Sequence, residues 1–262
     1  MKKVMKRLAV LAAAGVLALS VFSLAGCGGG SGEGSGSGGS GGGETTPDAT
    51  PTPAPAPEPK GASYAITDKR AVTWVNSIGT TWVQVIVEIT NDGTKDLYLG
   101  SGKVDLEDAN GKLIKSISLV SEVPEVLAPG EKGYMYEETT LDNPVEGAIT
   151  VLPREDVKEA KVDRVRLAVS EVELSDSGYG DIKALGRVEN TTDETQDWVN
   201  VEILLFDADG KLIGKVTSLI TDELKPGDKV GFEATSFSLP DTVTVSSVAS
   251  FIAYAYPMQM QF

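Results

Sequence analysis

The sequence contains no histidine and only one cysteine, and both shortages restrict its chemistry. Without histidine the chain lacks the commonest general base at neutral pH and the commonest zinc ligand. A single cysteine cannot form an intramolecular disulfide, and no histidine is present to activate a serine nucleophile. A serine–lysine or paired-carboxylate site remains open, but 38 acidic residues make any carboxylate pair uninformative. We therefore expect no catalytic residue, metal site or cofactor, and predict that the protein is not an enzyme.

Basic residues are scarce as well: the chain has 23 Lys and Arg residues and 38 Asp and Glu residues, which gives a formal net charge of −15. The first 26 residues contain four of the basic residues and no acid, so the remainder carries 19 basic (23 − 4) and 38 acidic residues, or −19. An acidic surface repels nucleic acid and anionic lipid headgroups. We expect no nucleic-acid partner, and a basic protein partner fits this charge better.

The first 26 residues have the pattern of a secretion signal. Residues 1–7 are basic, and residues 8–24 are an apolar stretch rich in Ala, Val and Leu. This stretch is shorter than the roughly 20 residues of a membrane-spanning helix. It ends in Leu24-Ala25-Gly26-Cys27. The pattern predicts that residues 1–26 are a signal peptide, with the cleavage motif at its end.

The four residues that end the signal resemble the bacterial lipobox, whose pattern is Leu, small, small, Cys. The resemblance implies that Cys27 carries a thioether-linked diacylglycerol and becomes the mature N-terminus. It also implies that the protein is anchored in the lipid bilayer through Cys27 and faces outward from the cell membrane. At least two acyl chains on one cysteine suffice for stable anchoring, whereas one chain does not.

Residues 27–61 have the composition of a linker. Residues 28–43 are almost entirely Gly and Ser, and residues 46–60 alternate Pro with Ala, Thr and Glu. The first composition favours a flexible coil and the second favours extended polyproline II. We predict a disordered linker between the lipidated cysteine and the folded part of the chain.

An internal repeat begins at about residue 62. Residues 108–114 (DANGKLI) match residues 207–213 (DADGKLI) at an offset of 99, and Asn91 matches Asn190 at the same offset. Pro129-Gly130 matches Pro226-Gly227 at an offset of 97. Two copies form a tandem pair and are too few for a solenoid. We predict two domains, at 62–152 and 162–262, joined by a polar linker at 153–161.

Both repeats have the pattern of β-strands. Val83, Val85, Val87 and Ile89 occupy alternate positions, the period of a half-buried strand. Turn signals follow at Asn110-Gly111, Asp209-Gly210, Pro129-Gly130 and Pro226-Gly227. The first two pairs predict hairpins because both of their residues tolerate positive φ, and the Pro-Gly pairs predict type II turns. The fold class predicted is all-β, with two tandem immunoglobulin-like β-sandwich domains.

The second repeat resembles the FxLYD family at Ile203-Leu204-Leu205-Phe206-Asp207. Leu205 and Asp207 match the family pattern, and Ile203 and Phe206 are conservative changes. The first repeat is more divergent, since Val104-Asp105-Leu106-Glu107-Asp108 keeps only the Leu and the Asp. The resemblance implies a β-domain of bacterial surface proteins in which the motif forms a strand and its hairpin turn. It implies no activity.

Three patterns hint at ligands or partners, and each has a simpler interpretation. Asp207–Gly210 suggests a calcium loop, but aligning its Gly puts Leu205 and Val216 where carboxylates are required, so a hairpin fits better. The three tryptophans could stack on a carbohydrate or pack strand ends against loops. The aromatic tail 254–260 could bind a partner or form a last strand.

These expectations favour an exported, membrane-anchored lipoprotein that acts as a non-catalytic interaction or structural module of the cell envelope, with an unidentified protein partner there. The alternative is a ligand-binding accessory or sensor lipoprotein, which takes a small molecule or glycan for a membrane complex. The two differ in whether a concave, aromatic-lined pocket exists.

Overall fold

The computed structural model describes residues 61–178, 181–236 and 238–258, except for the side chain of Leu119. Within these ranges the chain is all β, with one short 3-10 helix at Val245–Ser247 and no α-helix. The predicted all-β class with two tandem sandwich-like units is confirmed. The signal peptide, Cys27 and the linker up to residue 60 lie outside the described residues.

The first repeat forms one curled antiparallel sheet. Its strands are β1 (Tyr64–Val75), β2 (Thr81–Asn91), β3 (Leu97–Glu107), β4 (Leu113–Val123), β5 (Val126–Leu127), β6 (Lys132–Leu141) and β7 (Thr150–Glu159). The pairing order is β1-β2-β6-β4-β3, and both β5 and β7 pair with β3. Strand β4 pairs with β3 along its first part and with β6 only at Ser121–Val123. This change of partner lets a single sheet enclose a core between two layers.

The second repeat has the same strand order. Its strands are β8 (Ala168–Asp176), β9 (Ile182–Glu189), β10 (Val199–Phe206), β11 (Leu212–Ile220), β12 (Lys229–Thr235) and β13 (Ser250–Pro257). The order β8-β9-β12-β11-β10-β13 corresponds strand by strand to β1-β2-β6-β4-β3-β7. The corner between layers is narrow here, because β11 and β12 pair only at Thr217 and Thr235. The sequence repeat is therefore a repeat of topology.

Each repeat has a hydrophobic core of its own. In the first, the alternating side chains Val83, Val85, Val87 and Ile89 of β2 are fully buried against β3 residues such as Leu99 and Leu106. In the second, Val199, Val201, Ile203 and Leu205 of β10 form a fully buried face that packs with β9 and β11. Burying a side chain of this size contributes roughly 1.5–3 kcal/mol, so these faces supply much of the stability.

The structure corrects the interpretation of residues 153–161 as a linker. Residues 153–159 belong to β7, which pairs with β3 from Leu97–Glu159 to Glu107–Thr150. The strand has few core residues because it lies at the edge of the sheet, where one alternating face and one backbone edge meet solvent. The polar composition of residues 153–159 is therefore that of an edge strand, which resembles the composition of a linker.

Candidate functional site

The two hairpin turns predicted at Asn110-Gly111 and Asp209-Gly210 have the same hydrogen bonds. In the first, the Gly111 N–H donates to the Asp108 carbonyl at 3.0 Å, and Asp108 Oδ1 accepts from the N–H groups of Asn110 and Lys112 at 2.8 and 2.9 Å. Asp207 makes the same bonds with Gly210, Asp209 and Lys211. The Lys112 and Asn110 N–H groups hold the pKa of Asp108 below its ordinary value. In both turns the Asp side chain closes the turn, and this structural role accounts for the Asp.

These turns differ from the predicted conformation in one respect. Gly111 and Gly210 have φ of 77° and 74°, but the only described residues other than glycine with positive φ are Glu171 and Trp198. Asn110 and Asp209 therefore do not adopt the left-handed region. The loop has three residues and places one glycine at positive φ, in contrast to a two-residue turn with both residues there.

Each Pro-Gly turn is hydrogen-bonded to a buried asparagine. The N–H groups of Gly130 and Gly227 donate to the carbonyls of Asn91 and Asn190 at 2.8 Å, and the glycines have φ of 80° and 84°. The Asn190 amide donates to the carbonyls of Glu194 and Leu224, both at 2.7 Å. The Asn91 amide bonds in the same way to Lys95 and Leu127. All eight predicted turn residues thus lie in structural turns.

A third apolar cluster lies between the repeats, and the sequence analysis missed it. It joins the outer face of β2, β4 and β6 to that of β10 and β11, and its buried members are Ile86, Val123, Tyr134, Tyr136, Leu204, Phe206 and Leu212. The rings of Tyr134 and Phe206 meet edge to face at 6.0 Å. One signal was available: the run 203–206 (ILLF) is apolar on both faces, which is typical of a strand covered on both sides.

Polar contacts reinforce the junction at its edges. The Arg166 guanidinium lies 5.4 Å from the ring centroids of both Tyr254 and Tyr256, and it donates to the Val126 carbonyl at 2.6 Å. Burial lowers the pKa of Arg166, and Glu131 partly opposes this. Arg70 also donates to the Leu212 carbonyl across the junction. The contacts of Arg70 and Arg166 therefore add to the apolar cluster in joining the two repeats.

A polar cleft of about 320 Å³ opens beside this junction. It lies where β4 joins β6 and where β11 meets β12, and it is lined by Ser121, Tyr136, Glu137, Glu138, Lys215, Thr217, Thr235 and Ser236. Lys215 Nζ pairs with Glu202 Oε2 at 3.1 Å and lies 5.5 Å from the Tyr136 ring centroid. Burial raises the pKa of Glu202, and the charge of Lys215 limits that rise. Burial also raises the pKa of Glu138, and the hydrogen bond from the Tyr136 hydroxyl limits that rise.

The cleft has one aromatic ring, and the Tyr136 hydroxyl is bonded to Gln84 Nε2 at 2.9 Å and to Glu138. Such a site could accept a small polar or cationic group but offers no aromatic platform to a sugar. Among the described residues, no group of three His, Cys, Asp or Glu side chains is placed to hold a metal ion. No helix in the described ranges has the length and hydropathy needed to cross a membrane.

The tryptophans do not form one surface. Trp74 and Trp82 are cross-strand partners on β1 and β2, and their rings stack with centroids 6.1 Å apart. Trp198 belongs to the second repeat, is 52% exposed, and accepts the Met258 N–H on its carbonyl at 3.0 Å. The residues of the aromatic tail that the structure describes continue β13 to Pro257.

The chain matches no protein-family model, and no curated protein is significantly similar to it.

Proposed function

We propose that the mature protein is a lipid-anchored lipoprotein on the outward side of a bacterial membrane, where its two sandwiches act together as a non-catalytic interaction or structural module. Cys27 would carry the lipid, and an envelope protein of basic character would be the partner. The net charge of −19 after residue 26 supports that choice of partner, because opposite charge steers association.

The observation that carries the proposal is the buried junction between the repeats. A protein that works by contact must present its surface in a constant shape, since ordering flexible parts on binding costs affinity. Leu204, Phe206 and Leu212 occupy outer-face positions, yet they are buried against the other repeat. The junction therefore favours two sandwiches that present one combined surface.

The FxLYD resemblance is compatible with this proposal. Leu205 is fully buried in the second core, and Asp207 closes the hairpin turn. Both family positions thus have a structural explanation. In this proposal the second repeat is an FxLYD-like domain and the first is a divergent copy.

The polar cleft favours a second candidate, an accessory or sensor lipoprotein that binds a small molecule. Its volume suits a small polar ligand. Saturable binding of such a ligand, lost when Glu137 is replaced by Gln, would favour this alternative over a contact module.

The experiment for the anchor uses cells producing either the wild type or Cys27→Ser. We expect diacylglycerol labelling and membrane association for the wild type and loss of the label for the variant. A neighbouring substitution in the linker, Ser31→Ala, should leave labelling unchanged. Labelled and membrane-bound Cys27→Ser would contradict the lipid attachment.

The experiment for the contact role is crosslinking of intact cells, followed by recovery of partners at low and high salt. One specific envelope protein, captured less efficiently as salt rises, is expected because exposed charges are screened over about 8 Å at physiological ionic strength. Robust turnover of an envelope substrate by the purified protein, abolished by one serine or carboxylate substitution, would overturn the proposal.

A further inference from the structure

The hairpin turn between β1 and β2 has the same bonds as the two Asp-closed turns. The Gly79 N–H donates to the Asn76 carbonyl at 2.9 Å, and Asn76 Oδ1 accepts from the N–H groups of Ile78 and Thr80 at 3.2 and 2.9 Å. Gly79 has a φ of 82°. Ile78 thus occupies the turn position that Asn110 and Asp209 occupy in the other two turns.

An isoleucine at this position is not required by the turn. Ile78 is 83% exposed, the highest value among the exposed large hydrophobic residues of the described chain, and Val75, the last residue of β1, is 51% exposed. The two sister turns show that a polar residue serves the same backbone conformation. Two large apolar residues exposed at the same end of one hairpin form a candidate interaction surface.

The part of the hairpin around the turn is also free of charged residues. Residues 71–87 contain no Asp, Glu, Lys or Arg, in a chain with 23% charged residues. The stacked Trp74 and Trp82 lie just behind the turn, one pair further from the tip than Val75 and Thr81. Tryptophan and aliphatic side chains together match the chemistry of the membrane–water interface.

We propose that the tip of this hairpin, formed by Val75 and Ile78, inserts into the interfacial region of the bilayer that holds the lipid anchor. The proposal rests on the lipid attachment at Cys27. It assigns the tip a second, weaker membrane contact that orients the first sandwich with its β1–β2 end toward the lipid.

Affinity favours the bilayer over a separate partner. Burying one aliphatic side chain improves a binding constant by roughly 10- to 100-fold, so two such residues give an affinity only in about the millimolar range. That is too weak to recruit a freely diffusing protein. It is sufficient for a surface to which the chain is already tethered, because tethering supplies an effective concentration of about that size.

The chain is long enough for this arrangement. The strand β1 runs for 12 residues from Tyr64 to Val75, so the tip is about 40 Å from where the chain enters the sheet, at about 3.3 Å per residue. Residues 28–60 can span up to about 110 Å when extended. Asp142 follows Leu141, the last residue of β6, which pairs with Thr81. Its carboxylate limits insertion to the tip itself.

The experiment uses the mature chain from Cys27 onward, coupled through its single thiol to a maleimide phospholipid in phosphatidylcholine vesicles. This linkage makes the result independent of whether cells attach a lipid to Cys27. All proteins carry Trp198→Phe, so that tryptophan emission reports Trp74 and Trp82. The measured quantity is quenching of that emission by brominated phosphatidylcholine.

We expect quenching in the parent protein, and a fall of about tenfold or more in the inserted-to-free ratio for Ile78→Asn. This variant should fold normally, because Asn110 occupies the same turn position. The matched control is Ile252→Asn, which removes the same side chain from a 45% exposed position in the second repeat and should leave quenching unchanged. No quenching in the parent, or equal quenching in both variants, would overturn the proposal.

Discussion

At the scale of single residues, the two buried asparagines fix the position of their loops. Asn91 and Asn190 are fully buried, and each amide joins a carbonyl four residues away to one more than 30 residues away. The sequence revealed that the two positions match. It could not reveal the bonds, because the distant acceptor is brought near only when the sheet has folded.

We predict that Asn190→Ala destabilises the protein by about 2–3 kcal/mol. The substitution leaves the carbonyl of Glu194 and the buried carbonyl of Leu224 without this donor, and it removes the acceptor for the Thr192 N–H and hydroxyl groups. Urea denaturation measures the change. The exposed Asn143→Ala should change stability by less than about 0.5 kcal/mol, and equal effects of the two substitutions would contradict the assignment.

At the scale of elements, turns and alternating strands were the most predictable features. Alternation identified the inner face of β2, and the Gly-containing pairs identified both hairpins, because these signals are local in the chain. The edge strand β7 was missed since an edge has little apolar character to show. The cleft was missed as well, because Glu137 and Lys215 belong to different repeats and no local pattern brings them together.

We predict that Gly210→Ala lowers stability by about 1–2 kcal/mol. A Cβ at this position would meet no atom within 4 Å, so the cost comes only from φ of 74°, which is unfavourable for any residue with a Cβ. Gly231→Ala is the matched control, since φ there is outside the positive region and the nearest atom to its Cβ would be 3.8 Å away. Thermal unfolding that is equally affected by both changes would argue against a left-handed requirement in the turn.

At the scale of the whole molecule, the junction gives the two repeats a shared buried surface. Separate sandwiches would expose Ile86, Tyr136, Leu204 and Phe206 to water, whereas the structure buries all four. The division into two domains predicts that each repeat can fold alone, and a fragment that tests this for the first repeat must extend through Glu159 to include β7. Division after residue 152 would leave most of that strand behind and open the edge of β3.

We predict that Leu204→Asp separates the two sandwiches without unfolding either one. Leu204 is fully buried and points away from the core face of β10, so a carboxylate there would lose its hydration at the junction. Lys215, which lies opposite residue 204 on β11, is already paired with Glu202 and would have to serve two carboxylates. Small-angle scattering should show a larger radius of gyration, and calorimetry should resolve two transitions for the variant and one for the wild type. Leu219→Asp, on the outer face of the neighbouring strand but exposed, should leave both measurements unchanged. If Leu204→Asp retained the compact shape and a single transition, the junction would contribute too little to couple the repeats, and a combined binding surface would lose its physical basis.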